Sequence, residues 1–309
     1  FMQVRRGFEP CLEPDPGRAV AIGNFDGVHL GHQAILAMLA ERGREARVPT
    51  AVVCFEPQPK EYFAAGAVPA RLMRLRDKAE RIAAAGADEL RVLRFDARLA
   101  GLEAGRFIEQ VLVVSLRAKQ VVIGEGFRFG RGRGGDVETL RRAGRACGFG
   151  VDAVAPRLAG GAPVSSTRVR EALAAGRLDE AKMLLGREFR ISGRVVPGAR
   201  LGRTLGFHTA NMRLHRRVAP VAGIFAVRVT GAGLERHPGV ASVGTRPTVG
   251  GAEWLLETHL LDFDGDLYRE RLDVDFVARL RDEVRFPDLA SMTAQMQEDA
   301  RRARALLDG

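Results

Sequence analysis

Two histidines stand three residues apart where a glycine-rich turn enters a predicted helix. The sequence from Gly23 to His32 is GNFDGVHLGH, and it follows the apolar run Arg18–Ile22. About one helical turn separates His29 from His32, so both rings can point the same way. Their ring N–H groups and the unpaired backbone N–H groups of the helix start can cradle a phosphate; the alternative is a pair of polar capping residues. The residues predicted to form this nucleotide site are Gly23, Phe25, Asp26, His29, Gly31 and His32.

A cluster of hydroxyl residues lies near the end of the first half of the chain. Ser165, Ser166 and Thr167 stand at a predicted helix start, and Arg170 follows one turn later. The hydroxyls and the local backbone N–H groups can hold the β- and γ-phosphates of a nucleotide, and Arg170 adds positive charge. The alternative is that a serine simply caps the helix, which the same residues would also do.

The second half carries a glycine-rich loop that ends in two oxygen donors. Residues 202–211 read GRTLGFHTAN. Thr209 and Asn211 are two apart, so on an extended segment both face one side, where they can share a hard cation such as Mg²⁺ with the phosphates of ATP. Gly198, Gly202 and Arg203 are predicted to form a loop over those phosphates. An ordinary hairpin loop is the alternative.

One carboxylate is the candidate proton acceptor of the second half. Glu257 follows Leu256 in a predicted strand. Because successive strand residues face opposite sides of a sheet, one of the two faces inward and the other outward. A carboxylate at the mouth of an apolar barrel can accept the proton of a substrate hydroxyl. The alternative is a charge on a solvated sheet edge.

The elements that position these residues differ between the two halves. The first half alternates apolar runs with helical patterns, which implies a doubly wound parallel sheet with ligands at the carboxyl ends of its strands. After Gly186 come short strands separated by Gly, Pro and Asp turns, typical of a small antiparallel β-barrel. The amphipathic helix Leu289–Leu307 closes the chain. We therefore predict an α/β fold with two domains, residues 1–186 and 187–309.

Five helices are predicted in the first half from their periodic apolar positions. They are Gly31–Glu45, Arg71–Ala85, Ala104–Ala118, Val137–Ala146 and Ser165–Leu185, the last with a break near Gly176. The barrel strands are predicted at Phe189–Val196, Gly223–Thr230, Gly239–Val243, Trp254–Asp262 and Arg271–Phe276.

Composition excludes several classes of protein. Of 309 residues, 46% are hydrophobic and 28% charged, which excludes a disordered chain, a collagen and a coiled coil. The three cysteines form no CxxC pair, so a reducing compartment, the cytoplasm, fits better than a disulfide framework or a zinc ribbon. No apolar run approaches the length that spans a bilayer. The net charge of +10 rests on arginines interleaved with acids, and it suits small phosphorylated ligands as well as a nucleic acid.

Two further segments complete a set of motifs. They are Phe55–Pro59, FEPQP, and Ile123–Gly130, IGEGFRFG. GNFDGVHLGH and SSTRVR resemble the HxGH nucleotidyltransferase superfamily, whereas GRTLGFHTAN and VGTRPT resemble riboflavin kinase motifs. In this order, over nearly the whole chain, the motifs resemble one family, the bacterial bifunctional riboflavin kinase/FMN adenylyltransferases, or FAD synthetases.

The resemblance implies two activities. The barrel would phosphorylate riboflavin to FMN with ATP, with Glu257 taking the proton of the riboflavin 5′-hydroxyl and Mg²⁺ offsetting the developing charge. The first domain would adenylylate FMN to FAD and release pyrophosphate, with His29 and His32 as catalytic residues. The expected flavin contacts are Pro57, Phe127 and Phe129. Neither a nucleic-acid partner nor a membrane is expected, and the oligomeric state is left open.

Four positions depart from the family pattern. The family usually has Asp or Asn where Gly126 stands, so a side chain thought to help at the reacting phosphates is missing. The other departures are His208 for proline, Ser242 for asparagine and Arg269 for glycine. Two alternatives stay open: another HxGH nucleotidyltransferase with a regulatory barrel, or a nucleic-acid-binding protein, which would need exposed stacking aromatics on the barrel.

Overall fold

Two units make up the described part of the chain, which in this computed structural model comprises residues 1–10, 15–197, 209–248 and 251–308. The first unit is Phe1–Pro69 with Met73–Ser165, and the second is Ala70–Leu72 with Ser166–Gly309. Within the described ranges, no helix is long and apolar enough to cross a membrane.

A parallel sheet of six strands forms the centre of the first unit. The strands are β1 (Gln3–Arg6), β2 (Arg18–Ile22), β3 (Thr50–Glu56), β4 (Glu89–Arg94), β5 (Ala118–Gly124) and β6 (Gly150–Val154). Their order is β1-β4-β3-β2-β5-β6, and every neighbouring pair is parallel. All five residues of β2 are buried, as expected for a strand covered on both faces. The strand order reverses at β2, and the carboxyl ends at such a reversal are where doubly wound sheets bind ligands.

Helices connect these strands and cover the sheet. They are α1 (Leu30–Ala46), α2 (Pro59–Tyr62), α3 (Leu75–Ala84), α4 (Ala97–Gly101), α5 (Ala104–Phe107) and α6 (Val137–Cys147). α5 continues directly into a π-helix, Ile108–Ser115, whose buried residues include Val111 and Leu112. The segment predicted as one helix over 104–118 is therefore helical in two geometries over 104–115, and its last predicted residue, Ala118, begins β5. A small hairpin, β7 (Leu158–Ala159) and β8 (Ala162–Pro163), precedes the second unit.

A curled antiparallel sheet of six strands forms the second unit. The strands are β9 (Phe189–Arg194), β10 (Thr209–Arg213), β11 (Gly223–Gly231), β12 (Leu234–Thr248), β13 (Gly251–Leu260) and β14 (Arg271–Arg281). Their order is β10-β13-β12-β11-β14-β9. The N–H of Val196, just after β9, donates to the carbonyl of Asn211 in β10 at 2.8 Å, which brings the two ends of the sheet together. Buried side chains such as Phe225, Leu256 and Phe276 fill the interior.

The predicted fold class is confirmed, and the differences have local causes. The helix predicted over 165–185 is α7 (Ser166–Ala174) and α8 (Leu178–Leu185), broken at Gly176, whose φ is +71°. β1 was not predicted from the sequence because its four residues are all exposed and show no apolar alternation. The units divide between Ser165 and Ser166, because α8 packs against β9 and β14. The domain boundary at 186/187 stays a prediction.

The C-terminal helix, α9 (Leu289–Leu307), is attached to the barrel by apolar packing and one buried ion pair. Ala300, Ala303 and Leu307 pack with buried residues of the barrel strands. Asp299, 2% exposed, accepts two bonds from the Arg281 guanidinium of β14, with the shorter N–O distance 2.7 Å. A paired and hydrogen-bonded carboxylate is the form in which a charge can be buried.

Replacing Asp299 by Ala is expected to lower the free energy of unfolding by about 3 kcal/mol, because it leaves a largely buried guanidinium without its carboxylate. Glu298→Ala is the matched control: Glu298 is the preceding residue, and its ion pair with Arg301 is solvent-exposed, so the loss should stay within about 0.5 kcal/mol. Urea unfolding of the full-length variants measures both. Equal losses would contradict the anchoring role of Asp299.

Candidate active sites

The turn between β2 and α1 has an unusual backbone conformation, and most of its side chains are buried. Phe25, Gly27 and Val28 have φ values of +48°, +84° and +41°. Positive φ is uncommon for side chains as bulky as those of Phe25 and Val28, and both are buried. The N–H of Met73 donates to the Asp26 carboxylate at 3.1 Å, and Asp26 is 1% exposed. Such turns are found at functional sites, where the surrounding structure fixes them.

The turn places the two histidines against each other. His29 is the N-cap of α1, and its Nδ1 accepts from the backbone N–H of His32 at 3.3 Å. An accepting Nδ1 means that a neutral His29 carries its proton on Nε2. The two rings stack with centroids 3.6 Å apart and planes at 16°. A Cβ at Gly31 would come within 3.2 Å of the His29 ring, so this glycine lets the ring lie against the helix start.

His32 is kept neutral by its surroundings. Its pKa is well below the ordinary value because burial disfavours the charged ring, and the neighbouring His29 and the buried Lys78 of α3 add to the effect. Its Nδ1 is buried and has no hydrogen-bond partner among the described residues. Buried polar atoms are rarely left without a partner, so this atom is a candidate contact for a ligand.

Two residues that the sequence analysis did not predict, Asn24 and Gln58, also carry a buried polar atom without a hydrogen-bond partner among the described residues. Oδ1 of Asn24, after β2, and Nε2 of Gln58, after β3, are buried without a hydrogen-bond partner in the described part of the chain. β2 and β3 are neighbours, and both residues follow the carboxyl ends of their strands. Gln58 lies inside the FEPQP motif, of which only the adjacent Pro57 was predicted as a site residue. Pro57 is exposed.

The aromatic residues near these strand ends differ in exposure. Phe129 is 6% exposed and belongs to the apolar core, whereas Phe127 is only partly buried and stacks on it with centroids 5.8 Å apart. Tyr62 and Phe63 are 40% and 65% exposed, and both contact the ring of Phe95. The sequence analysis did not single out Tyr62 and Phe63, although they follow the FEPQP motif directly.

The hydroxyl cluster spans the division between the units. Ser165 is the last residue of the first unit, and Ser166 begins α7 in the second. Nε of Arg170 in α7 donates to the carbonyl of Ala70 at 2.6 Å. The structure thus places residues 23–32 together in one unit and Ser166, Thr167 and Arg170 together in the other.

The barrel brings together a line of polar residues across three strands. Asn211 of β10 lies opposite Glu257 of β13, and Glu257 lies opposite Ser242 of β12. Leu256 is fully buried, whereas the side chain of Glu257 is 40% exposed, so Glu257 faces outward. Thr209 is exposed on β10, and Nδ2 of Asn211 donates to its carbonyl at 3.4 Å. Gly198, Gly202, Arg203 and His208 lie outside the described residues.

Charged groups surround the outward-facing Glu257. Nη2 of Arg246 lies 3.6 Å from Oε1 of Glu257. The hydroxyl of Ser242 donates to Oε1 of Glu283 at 3.0 Å. The face therefore combines a carboxylate able to accept a proton, neutral oxygen donors and a guanidinium, a set suited to chemistry on a phosphate and a hydroxyl.

Comparison with known proteins decides the family. A FAD synthetase family model matches residues 12–168, and a riboflavin kinase model matches residues 185–307. A relative from Escherichia coli, named bifunctional riboflavin kinase/FMN adenylyltransferase, is 48% identical over 98% of this chain and 97% of its own length. The chain belongs to the bifunctional riboflavin kinase/FMN adenylyltransferase family. This confirms the resemblance indicated by the motifs.

Two further matches cover nearly the whole chain. The Haemophilus influenzae relative of the same name is 43% identical over 99% of this chain and all of its own length. A crystal structure described as a macrolide-efflux protein from Streptococcus pneumoniae has a TM-score of 0.84 at 28% identity, covering 98% of this chain and 99% of that one. The efflux description concerns that protein; what it shares with this chain is the fold.

The lowered pKa of His32 predicts a pH dependence of stability. As the pH falls, His32 of the unfolded chain, with a pKa of about 6.5, is protonated before His32 of the folded chain. The contribution of His32 to the free energy of unfolding is therefore present above that pH and is lost as the pH falls further. Each unit by which the folded pKa is lowered corresponds to about 1.4 kcal/mol. His32→Gln should therefore lose less stability than the unmodified chain between about pH 8 and about pH 5.

Urea unfolding of both proteins across this range measures the effect. All other titrating groups are common to the two proteins, so their difference reports His32 together with its coupling to His29 and Lys78. Identical pH profiles would contradict a depressed pKa for this ring.

Proposed function

We propose that this chain converts riboflavin to FMN and FMN to FAD, using ATP as the donor in both steps. The observation that carries this function is the 48% identity to a bifunctional relative over almost the full length of both chains. The riboflavin kinase model falls on the barrel and the FAD synthetase model on the parallel sheet, so each half is assigned one activity. Neither a purely regulatory barrel nor a nucleic-acid-binding protein accounts for the kinase match.

In the kinase step, Glu257 serves as the general base. Its carboxylate faces out of the barrel next to Asn211, where a ribityl chain can reach it. The riboflavin 5′-hydroxyl attacks the γ-phosphorus of ATP while its proton passes to Glu257, and ADP leaves. Proton removal makes the hydroxyl oxygen a stronger nucleophile without a free alkoxide forming first.

Thr209 and Asn211 are the residues proposed to hold Mg²⁺. Both offer neutral oxygen atoms on the strand that flanks Glu257, and Mg²⁺ usually takes few protein ligands and completes its shell with water and phosphate oxygens. The donor set therefore fits the ion. When bound, Mg²⁺ neutralises charge on the phosphates. Gly198, Gly202 and Arg203 are proposed to form the loop over those phosphates.

In the adenylyl step, the FMN phosphate attacks the α-phosphorus of ATP and pyrophosphate leaves. The nucleophile is already an anion, so the site needs positioning and charge neutralisation rather than a strong base. His29 and His32 are proposed to donate hydrogen bonds from the turn formed by Gly23, Phe25, Asp26 and Gly31. Ser165, Ser166, Thr167 and Arg170 are proposed to hold the β- and γ-phosphates.

The flavin of the adenylyl step is proposed to lie against the aromatic residues beyond β3 and β5. Pro57 and Phe127 offer accessible surface, and Phe129 supports Phe127 from the core. The exposed rings of Tyr62 and Phe63 extend this surface. Flat aromatic and proline side chains suit stacking against an isoalloxazine ring.

The two activities should be lost separately. His32→Ala is expected to lower FAD formation from FMN about 10²–10³-fold, the usual cost of one transition-state contact, and to leave FMN formation unchanged. Glu257→Gln should do the reverse, because an amide of the same size cannot accept the proton. Chromatographic separation of FMN and FAD after incubation with ATP and Mg²⁺ measures both. If either variant, correctly folded, loses both activities equally, the assignment is wrong.

Gly126 is expected to accept a side chain and to gain activity from it. A Cβ built there meets no atom within 4 Å, and the residue is not among those with positive φ, so the backbone does not require glycine. Gly126→Asn should raise the rate of FMN adenylylation about tenfold, equivalent to about 1.4 kcal/mol of transition-state stabilisation. Gly66→Asn, at a similarly open position of the same unit, is the control. A rate unchanged in both variants would show that the chemistry is carried elsewhere.

A further inference from the structure

Arg246 reaches along the barrel surface to the proposed base rather than to its direct neighbour. In the pairing of β12 with β13, Arg246 lies opposite Glu253, and Glu257 lies four residues further along β13. Glu253 pairs with Arg213 at 3.8 Å, whereas Nη2 of Arg246 lies 3.6 Å from Oε1 of Glu257. The Arg246 guanidinium therefore lies beside Glu257 although Glu253 is its direct cross-strand neighbour.

A second carboxylate lies on this face, and the Arg246 guanidinium is accessible. Gly244 lies between Ser242 and Arg246 on the same face and carries no side chain; the Glu283 carboxylate occupies the space above it. Glu283 is fixed there by the Ser242 hydroxyl at 3.0 Å. The side chains of Arg246 and Glu257 are 48% and 40% exposed, so a ligand can approach both.

The reaction requires a phosphate close to this pair. A general base lies about 2.6–3.2 Å from the hydroxyl whose proton it takes. That hydroxyl lies about 3–3.5 Å from the atom it attacks. The γ-phosphorus must therefore come within about 7 Å of the Glu257 carboxylate, a region that the Arg246 guanidinium already borders.

We propose that Arg246 is a catalytic residue of the kinase step that binds the γ-phosphoryl group; the proposal rests on the proposed function of the barrel. When ATP and riboflavin bind, the guanidinium exchanges the Glu257 carboxylate for γ-phosphate oxygens. The bond from the riboflavin 5′-oxygen to the γ-phosphorus forms, and the bond to the β–γ bridging oxygen breaks. The proton passes to Glu257, ADP leaves, and Arg246 keeps its own protons.

The exchange serves two purposes. It frees Glu257 to accept the proton, and it places a planar, permanently charged donor against the oxygens over which transition-state charge spreads. The competing explanation is an ordinary exposed ion pair, which contributes at most about 1 kcal/mol to stability and nothing to catalysis. The two explanations predict different kinetics.

The experiment compares Arg246→Ala, Arg246→Lys and the matched control Arg213→Ala in the full chain. Arg213 pairs with Glu253 on the same face of the barrel and has no proposed role in the reaction. Arg246→Ala should lower kcat for riboflavin phosphorylation about 10²–10³-fold, with little change in KM for riboflavin. Arg246→Lys should lose less kcat than Arg246→Ala because lysine keeps the positive charge. It should not reach the original kcat because it lacks the two-pronged geometry of the guanidinium. Arg213→Ala should keep the original kcat.

A binding measurement separates a phosphate contact from a structural role. In Arg246→Ala, the affinity for a non-hydrolysable ATP analogue should fall by about tenfold relative to that for ADP, because the contact is to the γ-phosphate alone. FMN adenylylation by the same preparations should be unchanged, because that reaction is assigned to the other unit. An unaltered urea unfolding curve serves as the control for folding of the barrel.

Three results would overturn the proposal: an unchanged kcat in Arg246→Ala, an equal loss in Arg213→Ala, or an equal loss of ADP and analogue affinity. Failure of the unmodified chain to make FMN would instead refute the function proposed for the barrel.

Discussion

The first candidate site depends on a buried carboxylate inside a strained turn. Asp26 is almost fully buried, and a charge removed from water needs hydrogen bonds to replace those it loses. The N–H of Met73 supplies one of them and ties the turn to the segment that leads into α3. Left-handed conformations at Phe25 and Val28 cost about 1–3 kcal/mol each, and burial of both side chains offsets that cost. Without this support, the turn would not position His29 as the N-cap of α1, and the two histidine rings would not stack.

The polar residues of the barrel site are positioned by regular strand pairing rather than by a turn. Asn211, Glu257 and Ser242 are aligned by strand register alone, because opposing residues of antiparallel strands face the same side. Asn211 is 6% exposed, whereas the Glu257 side chain is 40% exposed and has fewer packing constraints, so its ionic contact with Arg246 orients it. The two sites thus reach precision by different means, one through a rigid turn and the other through a regular sheet with exposed charged groups.

The sequence predicted those features that depend on local pattern. The alternation at Leu256 and Glu257, the break at Gly176 and the position of the histidine pair all follow from residues close together in the chain. The remaining features depend on contacts between distant segments. The lowered pKa of His32 comes first from burial, to which His29 and then Lys78 on another helix add, and the burial of Phe129 results from core packing that its motif does not reveal. The association of α7 and α8 with the barrel likewise arises from tertiary packing.

The open space around Gly126 has a consequence for how this enzyme can change over time. A Cβ at this position meets no atom within 4 Å, so packing constrains a substitution there little. If a side chain at this position acts on adenylylation as proposed, substitution can alter the rate of that reaction while the fold and the kinase reaction stay as they were. In a chain that makes and consumes the same intermediate, such a position would let evolution adjust the ratio of FMN to FAD.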